Sequence, residues 1–333
     1  VGYSVQQTQD GGYIVTGTTN SAGNGDIWLI KTDASGAPLW IRTFGGTGSE
    51  EGNAVQQTSD GGYVIAGYTF SFGHGGSDLW LVKTDASGDT LWTRAFGGTR
   101  NDFGYSVQET RDSGYIVAGN VGYYGPGGGD LWLVKTDASG DTLWTRTVGG
   151  TNDDAGYSVW QTLDNGYIVA GRTYSFGPGS PTYPNVWLLR TDASGDTLWT
   201  RVYGGDSGDW ARSVQQTQDG GYIVGGVTAS FGAGNYDVYL IKTDGDGNVG
   251  VETDRGQRAE APEARRLEII PNPFLSFAKV PGHEAERFTL YDLSGRRVGT
   301  WSGNRIGQGL APGVYWARLE GRRARPLRMV KLK

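Results

Sequence analysis

Cysteine is absent from all 333 residues, so neither a disulfide nor a thiolate metal site can form. Histidine is almost absent. His74 and His283 lie far apart in sequence, which leaves a Ser–His–Asp set without a histidine placed beside a nucleophile. No apolar run is long enough to span a bilayer as a helix. The chain has no P-loop, dinucleotide fingerprint or zinc-ligand spacing. Positive charge is scarce over residues 1–254, which carry 13 basic and 28 acidic side chains, net −15. A phosphate backbone would be repelled there, so nucleic acid is not an expected partner. Residues 255–333 invert the balance, with 16 basic and 7 acidic side chains, and the inversion marks a domain boundary.

Glycine and aromatics are abundant instead: 58 Gly, 12 Trp, 18 Tyr and 10 Phe. Glycine without a G-X-Y period, among so many aromatics, fits short strands joined by tight turns. Those strands repeat. Val5, Val55, Val107, Val159 and Val214 occupy one equivalent place at spacings of 50, 52, 52 and 55 residues, a period of solenoids and propellers. The repeats run over about 2–50, 51–102, 103–154, 155–209 and 210–250. Each holds four β-rich segments, A to D. In the second they read NAVQQT (53–58), GYVIAGYT (62–69), DLWLVKTD (78–85) and DTLWTRAFG (89–97). Segment C alternates Leu79 and Leu81 with Trp80 and Val82, so both its faces are apolar and both must be covered. The fold expected is all-β: a β-propeller of five visible four-stranded blades, followed by a small immunoglobulin-like β-sandwich. The fifth repeat loses its Trp-bearing segment. The chain opens at Val1 inside a repeat, with no signal peptide, and reads as an excerpt or a processed form whose preceding D strand has been cut away; a ring of more blades is the alternative.

KTDASGDTLWTR occurs at 83–94 and again at 135–146, with near-copies at 31–42 and 190–201. It is the C–D hairpin. Asp33, Asp85, Asp137 and Asp192 can accept hydrogen bonds from the turn backbone, and the glycine three residues on supplies positive φ. Trp40, Trp92, Trp144 and Trp199 on the outer strand are expected to lie against the adjacent blade. The D-x-x-G-x-x-x-W spacing resembles the tryptophan-docking motif of quinoprotein-type propellers and the Asp-box of sialidases, differing from each by one residue. The resemblance implies architecture and not quinone or sialidase chemistry.

The B–C and D–A connections share one end of the sheets and vary between repeats, and function tends to sit on such loops. Their aromatics Phe70, Phe72, Tyr123, Tyr124, Tyr174, Phe176 and Phe231, with the acids Asp153 and Asp154, are the candidate ligand-binding residues. The competing reading packs these aromatics onto the blade tops. Segment A repeats amides (Gln6, Gln7, Gln56, Gln57, Gln108, Gln161, Gln215, Gln216), expected to satisfy one another. No catalytic residue is assigned. No cofactor is implied, with calcium the one candidate ion. DGDGN at 244–248 resembles the start of a calcium loop, but Val249 and Arg255 stand where Gly and Glu are needed, which favours a β-turn.

Residues 251–266 are charged and read as a linker, and 267–333 resume short apolar alternations. Pro271-Asn272-Pro273-Phe274, then Leu290 to Arg296 with Gly295, then Leu310-Ala311-Pro312-Gly313-Val314-Tyr315 and the final MVKLK follow one another in order. This stretch resembles the C-terminal sorting domain of type IX secretion substrates. The resemblance implies export across an outer membrane, secretion machinery as a partner, and a secreted or outer-surface location. The combined expectation is a non-enzymatic binding or adhesion module for glycan, peptide or matrix. A secreted hydrolase with an asymmetric acidic site is one alternative, and a structural spacer another.

Overall fold

The computed structural model describes residues 1–20, 24–122, 128–249, 280, 285–292, 296–302, 304–319 and 327–331. It divides into two compact units, Val1–Gln257 and Arg258–Lys333. The described residues contain strands and no helix.

The first unit is a series of antiparallel sheets, one per repeat, each ordered as in the sequence. The first holds β1 (Gly2–Gln7), β2 (Tyr13–Thr19), β3 (Asp26–Thr32) and β4 (Pro38–Phe44). The second holds β5 (Glu50–Gln57), β6 (Tyr63–Thr69), β7 (Asp78–Thr84) and β8 (Thr90–Phe96). The third holds β9 (Asp102–Glu109), β10 (Tyr115–Val121), β11 (Asp130–Thr136) and β12 (Thr142–Val148). The fourth holds β13 (Asp154–Gln161), β14 (Tyr167–Thr173), β15 (Asn185–Thr191) and β16 (Thr197–Tyr203). The fifth has only β17 (Asp209–Gln216), β18 (Tyr222–Thr228) and β19 (Asp237–Thr243). The expectation of five four-stranded blades is corrected there. After its C–D turn the fifth repeat makes one isolated bridge, Thr243 to Val249, and among the described residues no Trp–Arg strand follows.

Successive sheets bury apolar faces against one another. Leu79 and Leu81 of β7 pack with Val107, Tyr115, Val117 and Trp132 of the third sheet. The same arrangement joins the first sheet to the second, the third to the fourth and the fourth to the fifth. First strands of neighbouring repeats lie side by side (β1 on β5, β5 on β9, β9 on β13, β13 on β17), while the D strands stay half-exposed. The sheets therefore fan outward from the β1 edge, which is a propeller-like arrangement. The fan ends in uncovered faces. Val238 and Leu240 of β19 are 87% and 67% exposed, although their repeat equivalents Leu79 and Leu81 are at 0%. Val5 of β1 is 65% exposed, against 7% for Val55 in the second repeat.

The repeated hairpin joins sheet to sheet. Asp85 Oδ1 accepts from the backbone N–H of Ser87 and of Asp89, and Gly88 adopts φ +80°. The Trp40 indole of the preceding sheet lies over Gly88, so close that a Cβ there would stand 2.8 Å from the ring, and its other contact is Tyr63 at 5.7 Å. Arg42 lies over Trp40 and pairs with Asp89. Trp92 over Gly140, Trp144 over Gly195 and Trp199 over Gly247 repeat the contact. One phrase thus serves two interfaces: its turn receives the indole of the sheet before, and its own Trp and Arg reach the sheet after. The DGDGN stretch is the fifth copy of this turn, with Asp244 Oδ1 accepting from Asp246 and Asn248 N–H.

A second device binds each A–B turn to strand C of its own sheet. The ammonium of Lys83, 3% exposed as a residue, donates to Asp60 and to the Thr84 carbonyl. Lys31–Asp10, Lys135–Asp112, Arg190–Asp164 and Lys242–Asp219 are its counterparts. Partial burial pushes the Asp60 carboxyl up, but hydrogen bonds from Thr58 and Lys83 outweigh it and hold it at about 2. A carboxyl lowered on folding stabilises above its unfolded value, and that contribution is lost as pH falls through the folded value. The thermal midpoint is therefore expected to fall on acidification from about pH 4 toward 2. Asp60→Asn should show a shallower fall, and an identical pH slope would contradict the assignment. The segment A amides form a third tie. Gln6 accepts from the N–H of Gln57, Gln56 from Glu109 and Gln108 from Gln161, each reaching the next repeat's backbone.

In the second unit, β20 (Arg287–Tyr291), β21 (Arg297–Ser302), β22 (Gly313–Leu319) and β23 (Leu327–Lys331) form one antiparallel sheet ordered β21-β20-β22-β23. Phe288, Leu290, Tyr315, Ala317 and Met329 make its core. Pro312 and Gly313 open β22, and the Tyr315 hydroxyl donates to the Ala311 carbonyl. Pro271, Asn272, Pro273 and Gly295 lie outside the described residues, as does the stretch read as a linker.

Candidate functional site

Three of the loop aromatics singled out from the sequence lean on a C-strand ring while keeping one side exposed. Phe72 packs on Trp80 at 5.2 Å, Phe176 on Trp187 at 5.7 Å and Phe231 on Tyr239 at 5.6 Å, each on the C strand of its own repeat. The serine before each Phe clamps the D–A loop: Ser71 Oγ accepts from Gly48 N–H, Ser175 Oγ from Asn152 and Ser230 Oγ from Ser207. The recurrence of Ser-Phe-Gly has this packing cause. Phe70 lies edge-on to Tyr68. Tyr123 and Tyr124 fall outside the described residues.

Asp154 braces the D–A loop from within. It is fully buried, and its Oδ2 accepts from Gly150 N–H and Ser175 Oγ. Glu50, Asp102 and Asp209 cap the equivalent glycines at Gly46, Gly98 and Gly205. Asp153 is exposed, with its Oδ1 held by Gly129 N–H. An open cleft of ≈ 480 Å³ lies beside it, lined by Gly128, Thr151, Asn152, Asp153, Tyr174 and Pro181. Among the described residues no three His, Asp or Glu side chains converge as a metal-holding group.

Tyr174 connects this cleft to a cluster that the loop reading missed. Every A strand carries a β-bulge at one place, occupied by Tyr3, Asn53, Tyr105, Tyr157 and Arg212. A bulge re-aims its side chain out of the ladder. Tyr105 and Tyr157 pack at 5.1 Å. The Arg172 guanidinium of β14 lies 5.7 Å from the Tyr157 ring centre and 5.4 Å from that of Tyr174. Arg212 lies 5.0 Å from the same Tyr157 ring. Burial pushes the Tyr157 hydroxyl up, while the two guanidiniums act to lower it. At the other end of the row the Tyr3 hydroxyl donates to Glu51. In the sequence the bulge stands in the frames GYSV, GNAV, GYSV, GYSV and ARSV, so Tyr fills it in three repeats, Asn in the second and Arg in the fifth.

No family model matches the chain. Regulatory protein FlaEY of Caulobacter vibrioides is 29% identical over 152 residues, 39% of this chain and 16% of that protein. The chain therefore spans only a small part of that relative's length. Among solved structures, PorZ, a surface component of the type IX secretion system of Porphyromonas gingivalis, is similar at 13% identity and TM-score 0.39, over 100% of this chain and 45% of PorZ. A candidate exo-beta-1,3-galactanase from Bifidobacterium bifidum is similar at 13% identity and TM-score 0.41, over 76% of this chain and 92% of that one.

Proposed function

We propose that the protein is a secreted or surface-displayed propeller-type module that binds an extracellular glycan, peptide or matrix component, with its second unit directing export as a sorting domain. The first unit, on this reading, is part of a closed ring whose remaining neighbours cover Val5, Val238 and Leu240. The observation that carries the binding role is the asymmetric cluster of Tyr157, Arg172, Tyr174 and Arg212, of which Tyr174 lines the open cleft. Tyrosines and stacked arginines beside a cleft offer flat faces and fixed donors, the means by which small polar ligands are oriented. The hydrolytic alternative is less well supported, because Asp153 faces the cleft while Asp154 is committed to backbone and Ser175.

An array of immobilised glycans and matrix proteins tests the role. Wild-type chain should bind a discrete set of spots, and Tyr157→Ala/Tyr174→Ala should lose them at an unchanged unfolding midpoint. Absence of any binder, or unchanged binding by the variant, refutes it. The export part fails if a chain lacking residues 267–333 still reaches the surface of a bacterium that has the secretion machinery.

A further inference from the structure

Positive charge in residues 1–254 is almost all assigned. Eight of the 13 basic side chains make ion pairs with repeat-frame aspartates: Lys31, Lys83, Lys135, Arg190 and Lys242 with the A–B turns, and Arg42, Arg94 and Arg146 with the C–D turns. Arg201 lies over Trp199, Arg111 is hydrogen-bonded across to Thr162 and Asn165, and Arg100 is engaged as well. Arg172 and Arg212 are different. They flank one ring, Tyr157, and no carboxylate of the described residues pairs with either. The Nε of Arg172 is buried and has no acceptor. An unpaired buried donor costs about 1–3 kcal/mol, more when charged, and two cations over one ring repel each other.

We propose that Arg172 and Arg212 form an anion subsite beside the cleft, joined to it through Tyr174, and take the carboxylate of an acidic sugar, a uronic acid carried on an otherwise neutral glycan. This deepens the binding role proposed above and rests on it. The planar guanidinium fork matches a planar carboxylate bidentately, and stacking on Tyr157 and Tyr174 fixes the fork before the ligand arrives. The neighbouring groups suit the rest of a sugar. Asp153 keeps one carboxylate oxygen free of the Gly129 bond and can accept a hydroxyl, Asn152 and Thr151 stand on the same wall, and Tyr174 presents ring surface. The net charge of −15 over residues 1–254 opposes a polyanion, which favours an isolated carboxylate over a polyuronate or an acidic peptide.

The test is titration calorimetry of the full chain with an oligosaccharide ending in glucuronate, its glucose-ended counterpart, inorganic sulfate and an oligoglutamate peptide. The glucuronate ligand should bind at least about tenfold tighter than the glucose ligand, and more weakly as salt is raised. Arg172→Gln and Arg212→Gln should each erase the preference at an unchanged unfolding midpoint, and Arg172→Lys should restore only part of it, because charge returns without the fork. Equal affinity for the two sugars, a preference that survives Arg172→Gln/Arg212→Gln, or tighter binding of the peptide or of sulfate overturns the proposal. If both sugars bind equally and Tyr174→Ala abolishes both, the anion subsite falls while the glycan-binding role stands. If neither sugar binds and the array is blank, both fall.

Discussion

Leu81→Ala is expected to destabilise the first unit by about 2–5 kcal/mol, whereas Leu240→Ala, at the same place in the fifth repeat, should change stability by less than about 0.5 kcal/mol. The two leucines share a strand position and nearly the same local sequence. Leu81 is fully enclosed by Val107, Tyr115 and Val117 of the third sheet, so truncation leaves a cavity between two rigid faces. Leu240 is 67% exposed because no sheet of the described residues covers β19, and truncation there removes surface that is already wet. In an array where each repeat touches only its neighbours, weakening an interior interface also uncouples the sheets on either side. Urea unfolding of both variants, followed by tryptophan fluorescence and circular dichroism, measures the difference. Equal losses would mean that the fifth sheet is covered in solution, and the open fan described here would be wrong.

Gly140→Ala should be markedly more damaging than Gly36→Ala, although the two glycines occupy the same turn with φ +79° and +85°. Both substitutions meet the left-handed backbone penalty of about 1–2 kcal/mol. At Gly36 that is the whole cost, because no atom of the described residues lies within 4 Å of the added methyl. At Gly140 the methyl would stand 2.7 Å from Trp92 Cζ3, so the indole must leave its seat or the sheets must part, adding about 1–3 kcal/mol. Displaced from its contact with Tyr115, Trp92 should also become more exposed, and its emission should shift to the red in the Gly140 variant alone. Equal costs at the two glycines would show that the indole contributes nothing to sheet-to-sheet docking.

The repeat frame could be read from the chain because its tasks are local. A β-turn needs an acceptor and a glycine at set offsets, and a strand buried on both faces needs apolar residues throughout. DASG and DLWLVK state these requirements in one dimension. The ring partners of the loop aromatics were not legible for the complementary reason. Phe72 and Phe176 each meet a C-strand tryptophan of their own repeat, eight and eleven residues on, only once the B–C loop has folded back, and each keeps an exposed side. The site escaped in the same way. Arg172 and Arg212 are 40 positions apart on separate sheets, and nothing local to either announces a shared ring.

From the sequence alone came the all-β class, the recurrence of antiparallel strands at a period of about 50 residues, the hairpin that links one sheet to the next, and the change of charge after residue 254. Periodicity and turn chemistry depend on neighbours within a few residues, so they survive in a linear text. The tertiary structure decided that the fifth sheet has three strands, that the outer faces at both ends of the fan stay uncovered, and that two unpaired guanidiniums meet over Tyr157. Each of these depends on which surfaces approach across some 50 residues of chain, and packing between sheets sets that distance where local preference cannot.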